Sequence, residues 1–127
     1  MENSYLLDTN IVIYYFNGIF AKDNQDIDAL IAASFMVSII TRIEFLGWSG
    51  FKNAKIYAKA KEFIDNAIVL YIDDAIADEA IRIRKEHKVK TPDAIIAATA
   101  LVNDLGLATT NTDDFKKLNL MLLNPLS

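Results

Sequence analysis

Short apolar runs alternate along this chain with longer stretches of helical pattern, and several of the runs end in a polar or acidic residue. The first, Tyr5-Leu6-Leu7, stops at Asp8-Thr9-Asn10. Phe35-Met36-Val37-Ser38, Ile68-Val69-Leu70-Tyr71, Leu107-Ala108-Thr109 and Leu120 to Leu123 read as further short strands. Strands without internal polar alternation are buried on both faces. Helical segments between them require crossover connections, and hence parallel pairing. The expected fold is therefore α/β, a three-layer α/β/α sandwich around a central, mainly parallel sheet, spanning residues 1–127 as a single domain. In such a sheet the ligand site lies outside the carboxyl ends of the strands.

The helices are marked by their ends. Residues 9–17 carry helical pattern up to Asn17-Gly18, and the polar segment from Lys22 to Asp28 reads as loop before a short helix to Ala33. Helices are expected from about Ile40 to Trp48, over 53–66, and from a cap at Asp73 or Asp74 to about Lys88. Thr91-Pro92-Asp93 combines a capping residue, a proline and an acid at a helix start. The helix from Pro92 to Asp104 is apolar nearly all round, as a buried helix is, and Gly106 is expected to end it. A turn and a short helix follow from Asn111 to Leu118.

Composition narrows the chemistry. A cysteine-free chain has no disulfide, no thiolate zinc site and no cysteine nucleophile; it suits a reducing compartment, and the expected location is the cytoplasm. No basic leader pattern opens the sequence, and no apolar run approaches the length of a membrane span. The net charge of −4 argues against a protein that coats duplex nucleic acid, but it suits a site in which carboxylates hold a metal.

Taken singly, the acids have ordinary explanations. Asp8 can cap a helix, Glu44 lies three residues after Thr41 in the spacing of a capping box, and Asp93, Asp113 and Asp114 can each offset a helix dipole. Their shared position is harder to explain that way, because Asp8, Glu44 and the Asp113-Asp114 pair follow strands and Asp93 starts a helix. In a parallel sheet these junctions share one edge. Two carboxylates about 4 Å apart repel by roughly 4 kcal/mol at an effective dielectric near 20. A gathering of four must take up protons or bind a cation, and all-oxygen ligands select a hard one, Mg²⁺ or Mn²⁺. Such a site suits phosphodiester hydrolysis.

The segments Leu6-Leu7-Asp8-Thr9-Asn10, Thr41-Arg42-Ile43-Glu44, Thr91 to Ala100 and Thr109 to Phe115 resemble, in order and spacing, those of the PIN domain, in particular the VapC-like toxins of bacterial toxin–antitoxin pairs. The resemblance spans Tyr5 to about Leu123. It implies a Rossmann-like sandwich and metal-dependent cleavage of single-stranded RNA, with a cognate antitoxin and a homodimeric state as expected associations. It implies Asp8 and Asp93 as the principal Mg²⁺ ligands and Glu44 as a third acid acting through metal or water. The fourth acid is Asp114 or its neighbour Asp113, since some members carry it at the position of the neutral Asn111. Thr9 and Asn10 are expected to hold Asp8, with Thr110 and Asn111 near the fourth acid.

Around these, His87 reads as a solvated residue at a helix end, and Lys85, Lys88 and Lys90 as a solvated face or an RNA-facing rim. Phe45, Leu46, Trp48, Phe51 and Tyr57 read mostly as core, with some of them available to a partner helix. Other small α/β domains fit less well. A signalling receiver needs a lysine after a late strand, where this chain has Thr109-Thr110-Asn111, and a haloacid-dehalogenase-type phosphatase wants an aspartate in place of Asn10. A non-catalytic RNA- or protein-binding module of the same fold is the alternative that keeps every element.

Overall fold

The computed structural model describes residues 4–18 and 25–125. The chain runs β1 (Tyr5–Leu7), α1 (Thr9–Phe16), α2 (Gln25–Ala33), β2 (Met36–Ser38), α3 (Ile39–Leu46), α4 (Ala54–Asp65), β3 (Ile68–Leu70), α5 (Asp74–Glu86), α6 (Thr91–Val102), β4 (Gly106–Ala108), α7 (Thr112–Phe115) and β5 (Leu122–Leu123). Part of the expected loop from Lys22 to Asp28 lies outside the described residues, and the rest is helical, since α2 begins at Gln25.

Every strand pairing is parallel. β4 sits between β1 and β5, while β2 pairs with β3. The two ladders lie side by side through β1 and β2, and Ser34 Oγ donates to Tyr5 O at 3.3 Å across the seam. Alternation along the strands then builds the layers. Leu6 and Leu107 point into one cluster with Ile76, Ala80, Ile83, Ala97 and Phe115, beneath α5, α6 and α7. Leu7, Val37 and Ala108 point the other way, into a cluster with Ile11, Val12, Phe45, Ala60 and Ile64 from α1, α3 and α4. The expected three-layer α/β/α sandwich is the fold.

The helix ends depart from expectation in three places. Ser38 caps α3 by accepting from Ile40 N at 3.0 Å, so Thr41 and Glu44 lie inside the helix and form no capping box. Lys90 occupies the cap position of α6 without a side-chain bond, and Thr91 is already helical. At the far end of α6 the left-handed residue is Asp104 (φ 58°), with Leu105 N donating to Ala100 O and Asp104 N to Leu101 O, a Schellman closure. Asp73 caps α5 as expected, accepting from Ile76 N at 2.8 Å.

Gly106 therefore serves β4 rather than the helix end. A Cβ on it would stand 2.5 Å from the Tyr5 ring on β1 and 3.1 Å from Met121 O. The central strand is threaded between neighbours that leave no room for a methyl group. Gly106→Ala is expected to destabilise the protein by roughly 1–3 kcal/mol, the usual cost of overpacking, measured by chemical denaturation. Unchanged stability would show that Tyr5 can swing aside freely.

Candidate functional site

Asp8 is the first residue past β1. Its backbone N–H continues the ladder to Ala108 O at 2.9 Å, and its extended conformation (φ −68°, ψ 157°) makes it the cap of α1. The side chain is thereby held at the carboxyl edge of the sheet and is 95% buried, with 5% of its surface accessible. Two donors hold it: Thr9 N to Oδ1 at 2.8 Å and Thr109 Oγ1 to Oδ2 at 2.8 Å. Thr109, fully buried just beyond β4, was not among the residues expected from sequence. Its signal was present, a hydroxyl directly after the strand that pairs with β1.

Glu44 reaches the same edge from α3, where its Oε1 lies 2.7 Å from Thr9 Oγ1. Asp93 sits half-buried in the first turn of α6. Asp8, Thr9, Asn10, Ile13, Glu44, Asp93 and Asn111 line one shallow cleft of about 320 Å³. A neighbouring groove of about 510 Å³ shares Asp93 and Asn111 with it and continues past Asp114, Asp113, Lys117, Lys90, Lys88 and His87. Lys88 and Lys90 thus edge the acidic site, whereas Lys85 does not line either depression.

The expected supports of Asp8 are redistributed. Thr9 contributes as expected, through its backbone N–H. Asn10 makes no hydrogen bond to Asp8: its Oδ1 is buried and without a partner. Thr110 bonds neither acid among the described residues, and Asn111 ties its own N–H to Thr109 Oγ1 at 2.9 Å. Asp113 and Asp114 differ in setting. Both are exposed, but Asp113 pairs with Lys116 Nζ at 3.3 Å, while Asp114 lies near enough to Asp93 to disfavour the ionisation of Asp93.

The acids perturb one another in the direction that crowding requires. Burial, opposed by the Thr109 and Thr9 hydrogen bonds and reinforced by the charges of Asp93 and Glu44, raises the Asp8 pKa from 3.8 to about 6. Burial first, then the charges of Glu44 and Asp114, raises that of Asp93, against the pull of Lys90. A cation placed among them would reverse this, and the donors present are all oxygen. Among the described residues no three or more acid or histidine side chains form a group that could hold an ion together. Mg²⁺ commonly takes only one or two carboxylates and retains waters. Asp8 with Asp93 fits that requirement, and the partnerless Asn10 Oδ1 adds a polar atom in search of a donor or ion.

The fold and this edge define an open parallel α/β domain whose acids collect where such domains bind their ligands. The PIN domain family model matches residues 5–120, and the chain belongs to the PIN-domain family, whose members are generally nucleases that use divalent metal ions. Among solved structures, a toxin–antitoxin complex from Klebsiella pneumoniae is 32% identical, with 96% of this chain and 98% of that one covered and a TM-score of 0.77. FitAcB from Neisseria gonorrhoeae is 28% identical over 96% of this chain and 98% of that one, with a TM-score of 0.71. DNA-bound VapBC from Salmonella typhimurium, at 22% identity, speaks to the fold alone, with 98% and 99% covered and a TM-score of 0.84. A search of curated protein sequences found no significant match.

The raised pKa of Asp8 carries a consequence for stability. The group stabilises the fold fully below pH 3.8, its unfolded value, and that contribution is lost as pH rises through about 6. In EDTA, Asp8→Asn is expected to be more stable than the wild type at pH 7 by about 3 kcal/mol. The gap should open between pH 4 and 6.5 in urea titrations; a gap independent of pH would contradict burial of the charged form.

Proposed function

We propose that this protein is a Mg²⁺-dependent endoribonuclease that cleaves single-stranded RNA, and that it is the toxin of a toxin–antitoxin pair. The observation that carries the reading is a buried carboxylate, Asp8, whose ionisation its surroundings oppose, in the same cleft as Asp93 and Glu44. The toxin assignment is supported by the relative from Klebsiella pneumoniae, a toxin–antitoxin complex. On this reading the partners are a cognate antitoxin and a second copy of the chain. The protein acts in the cytoplasm, and no helix among the described residues is long and apolar enough to cross a membrane.

Asp8 and Asp93 would hold the ion, with Asp114 as the fourth acid in preference to Asp113, whose charge is directed to Lys116. Mn²⁺ would satisfy the same ligands. When bound, the ion supplies Lewis acidity, orientation of the phosphate and neutralisation of charge. The chain itself supplies the rest. Thr9 N–H and the Thr109 hydroxyl fix both oxygens of Asp8, so its direction is set before substrate arrives. Glu44, more exposed and held by a hydroxyl, orients the attacking water and accepts its proton. Lys88, Lys90 and Lys117 along the adjoining groove meet the phosphates of a strand leaving the cleft.

The test is cleavage of a labelled single-stranded RNA. Activity is expected with Mg²⁺ and none in EDTA, with Asp8→Asn and Asp93→Asn each lowering kcat by about 100-fold or more, as loss of a group that orients the reacting atoms does. Asp114→Asn should cost more than Asp113→Asn. Equal cleavage by wild type and the Asp8 and Asp93 variants would trace the activity to a contaminant. RNA binding without turnover would instead favour a non-catalytic module.

A further inference from the structure

We propose that Thr41, fully buried in α3, is a positioning residue that sets Glu44 through the hydroxyl of Thr9; this rests on the nuclease reading of the cleft. Thr9 Oγ1 lies 3.0 Å from Thr41 Oγ1 and 2.7 Å from Glu44 Oε1. A threonine hydroxyl has one proton, and an ionised carboxylate can only accept. Thr9 therefore donates to Glu44 and must accept from Thr41. The direction of the chain is fixed: Thr41 to Thr9 to Glu44, from the core out to the cleft.

A threonine within a helix ordinarily turns its hydroxyl back to the carbonyl four residues earlier. Thr99 does this in α6, donating to Ile95 O at 2.7 Å. Thr41 makes no such bond among the described residues; its hydroxyl is committed across the interface between α1 and α3. Thr9 is consequently bound at two points. Its backbone N–H serves Asp8 and its side chain serves Glu44, so one residue spaces two of the acids. Without Thr41, the Thr9 hydroxyl loses the donor that polarises it and fixes its rotamer. A methyl group in place of the Thr41 hydroxyl, 3.0 Å away, would push it out of line.

The experiment compares Thr41→Val, Thr41→Ser and Thr9→Val in RNA cleavage under saturating Mg²⁺. Thr41→Val is expected to lower kcat by roughly 10-fold to 100-fold with little change in KM, the effect of misplacing a reacting group. Thr41→Ser should recover activity close to wild type, and Thr9→Val should reproduce the valine defect with its N–H to Asp8 intact. Thr41→Val added to Thr9→Val or to Glu44→Gln should cost nothing further, because the path through Thr9 is already cut. A full additional loss in either background would show a merely structural role and overturn the proposal, as would wild-type kcat in Thr41→Val. Should Thr41→Val fail to fold, Thr41→Ala, which removes the hydroxyl without setting a methyl group in its place, is read in every arm instead, with the same loss of kcat expected and a wild-type kcat overturning the proposal. A second readout is independent of cleavage: methyl NMR of Thr9 should show one side-chain rotamer in wild type and Thr41→Ser, and a changed or averaged one in Thr41→Val. A wild type that does not cleave RNA refutes the nuclease reading, while retention of the wild-type rotamer in Thr41→Val refutes the positioning.

Discussion

The structure depends on holding an aspartate out of water at the end of its first strand. Asp8 is the point where the β1–β4 ladder, the start of α1 and the hydroxyl of Thr109 meet. A carboxylate there is costly, and its raised pKa is the measure of that cost. Two directed hydrogen bonds reduce it without abolishing it. The arrangement makes sense for a group that is to be neutralised by something arriving from outside, since a residue serving only as a helix cap gains nothing from such burial.

The doubly covered sheet supplies the geometry for this. Alternate residues of β1 and β4 anchor opposite layers, so the strand ends are fixed from both sides and their next residues emerge at one edge. Within the sheet a narrow requirement falls at Gly106, where the central strand passes close to the Tyr5 ring. On one side of the sheet the packing is strongly aromatic. Phe16, Phe45, Phe51 and Phe63 meet edge-on or tilted at 5.6–6.2 Å. This stiffens the seat of α3, and so of Thr41 and Glu44, against α1. Trp48 and Tyr57 pack on the same cluster through Phe51 but remain 38% and 39% exposed at its rim.

The acids divide by how they are held. Asp8 is buried and directed by donors, Asp93 is half-buried and crowded by Glu44 and Asp114, and Glu44 is exposed but tied to a hydroxyl. On the proposed nuclease reading the buried and half-buried acids face the ion and the exposed one faces the water. The groove beside it sets Lys88, Lys90 and Lys117 among the acids Glu86, Asp93, Asp113 and Asp114. A nucleic acid strand there would meet lysines singly, between carboxylates.

Periodicity in the sequence determined the layers, the parallel pairing and the edge at which Asp8, Glu44 and Asp93 share a cleft, with Asp114 in the adjoining groove, because each is a property of local pattern and chain order. The same local rules misjudged the details. Thr41 and Glu44 have the spacing of a capping box, but Ser38 lies one residue before the helix and takes the cap. Gly106 looks like a helix stop, but the closing bonds fall to Asp104 and Leu105. Asn10 stands beside Asp8 in sequence and leaves its own oxygen unpaired, while Thr109, 101 residues away, supplies the bond. Which hydroxyl meets which carboxylate depends on neighbours from separate strands and helices. Only the packed sheet brings these together: the bond from the Thr9 N–H to Asp8 is local, while the hydroxyls that meet Asp8 and Glu44 were placed by tertiary structure.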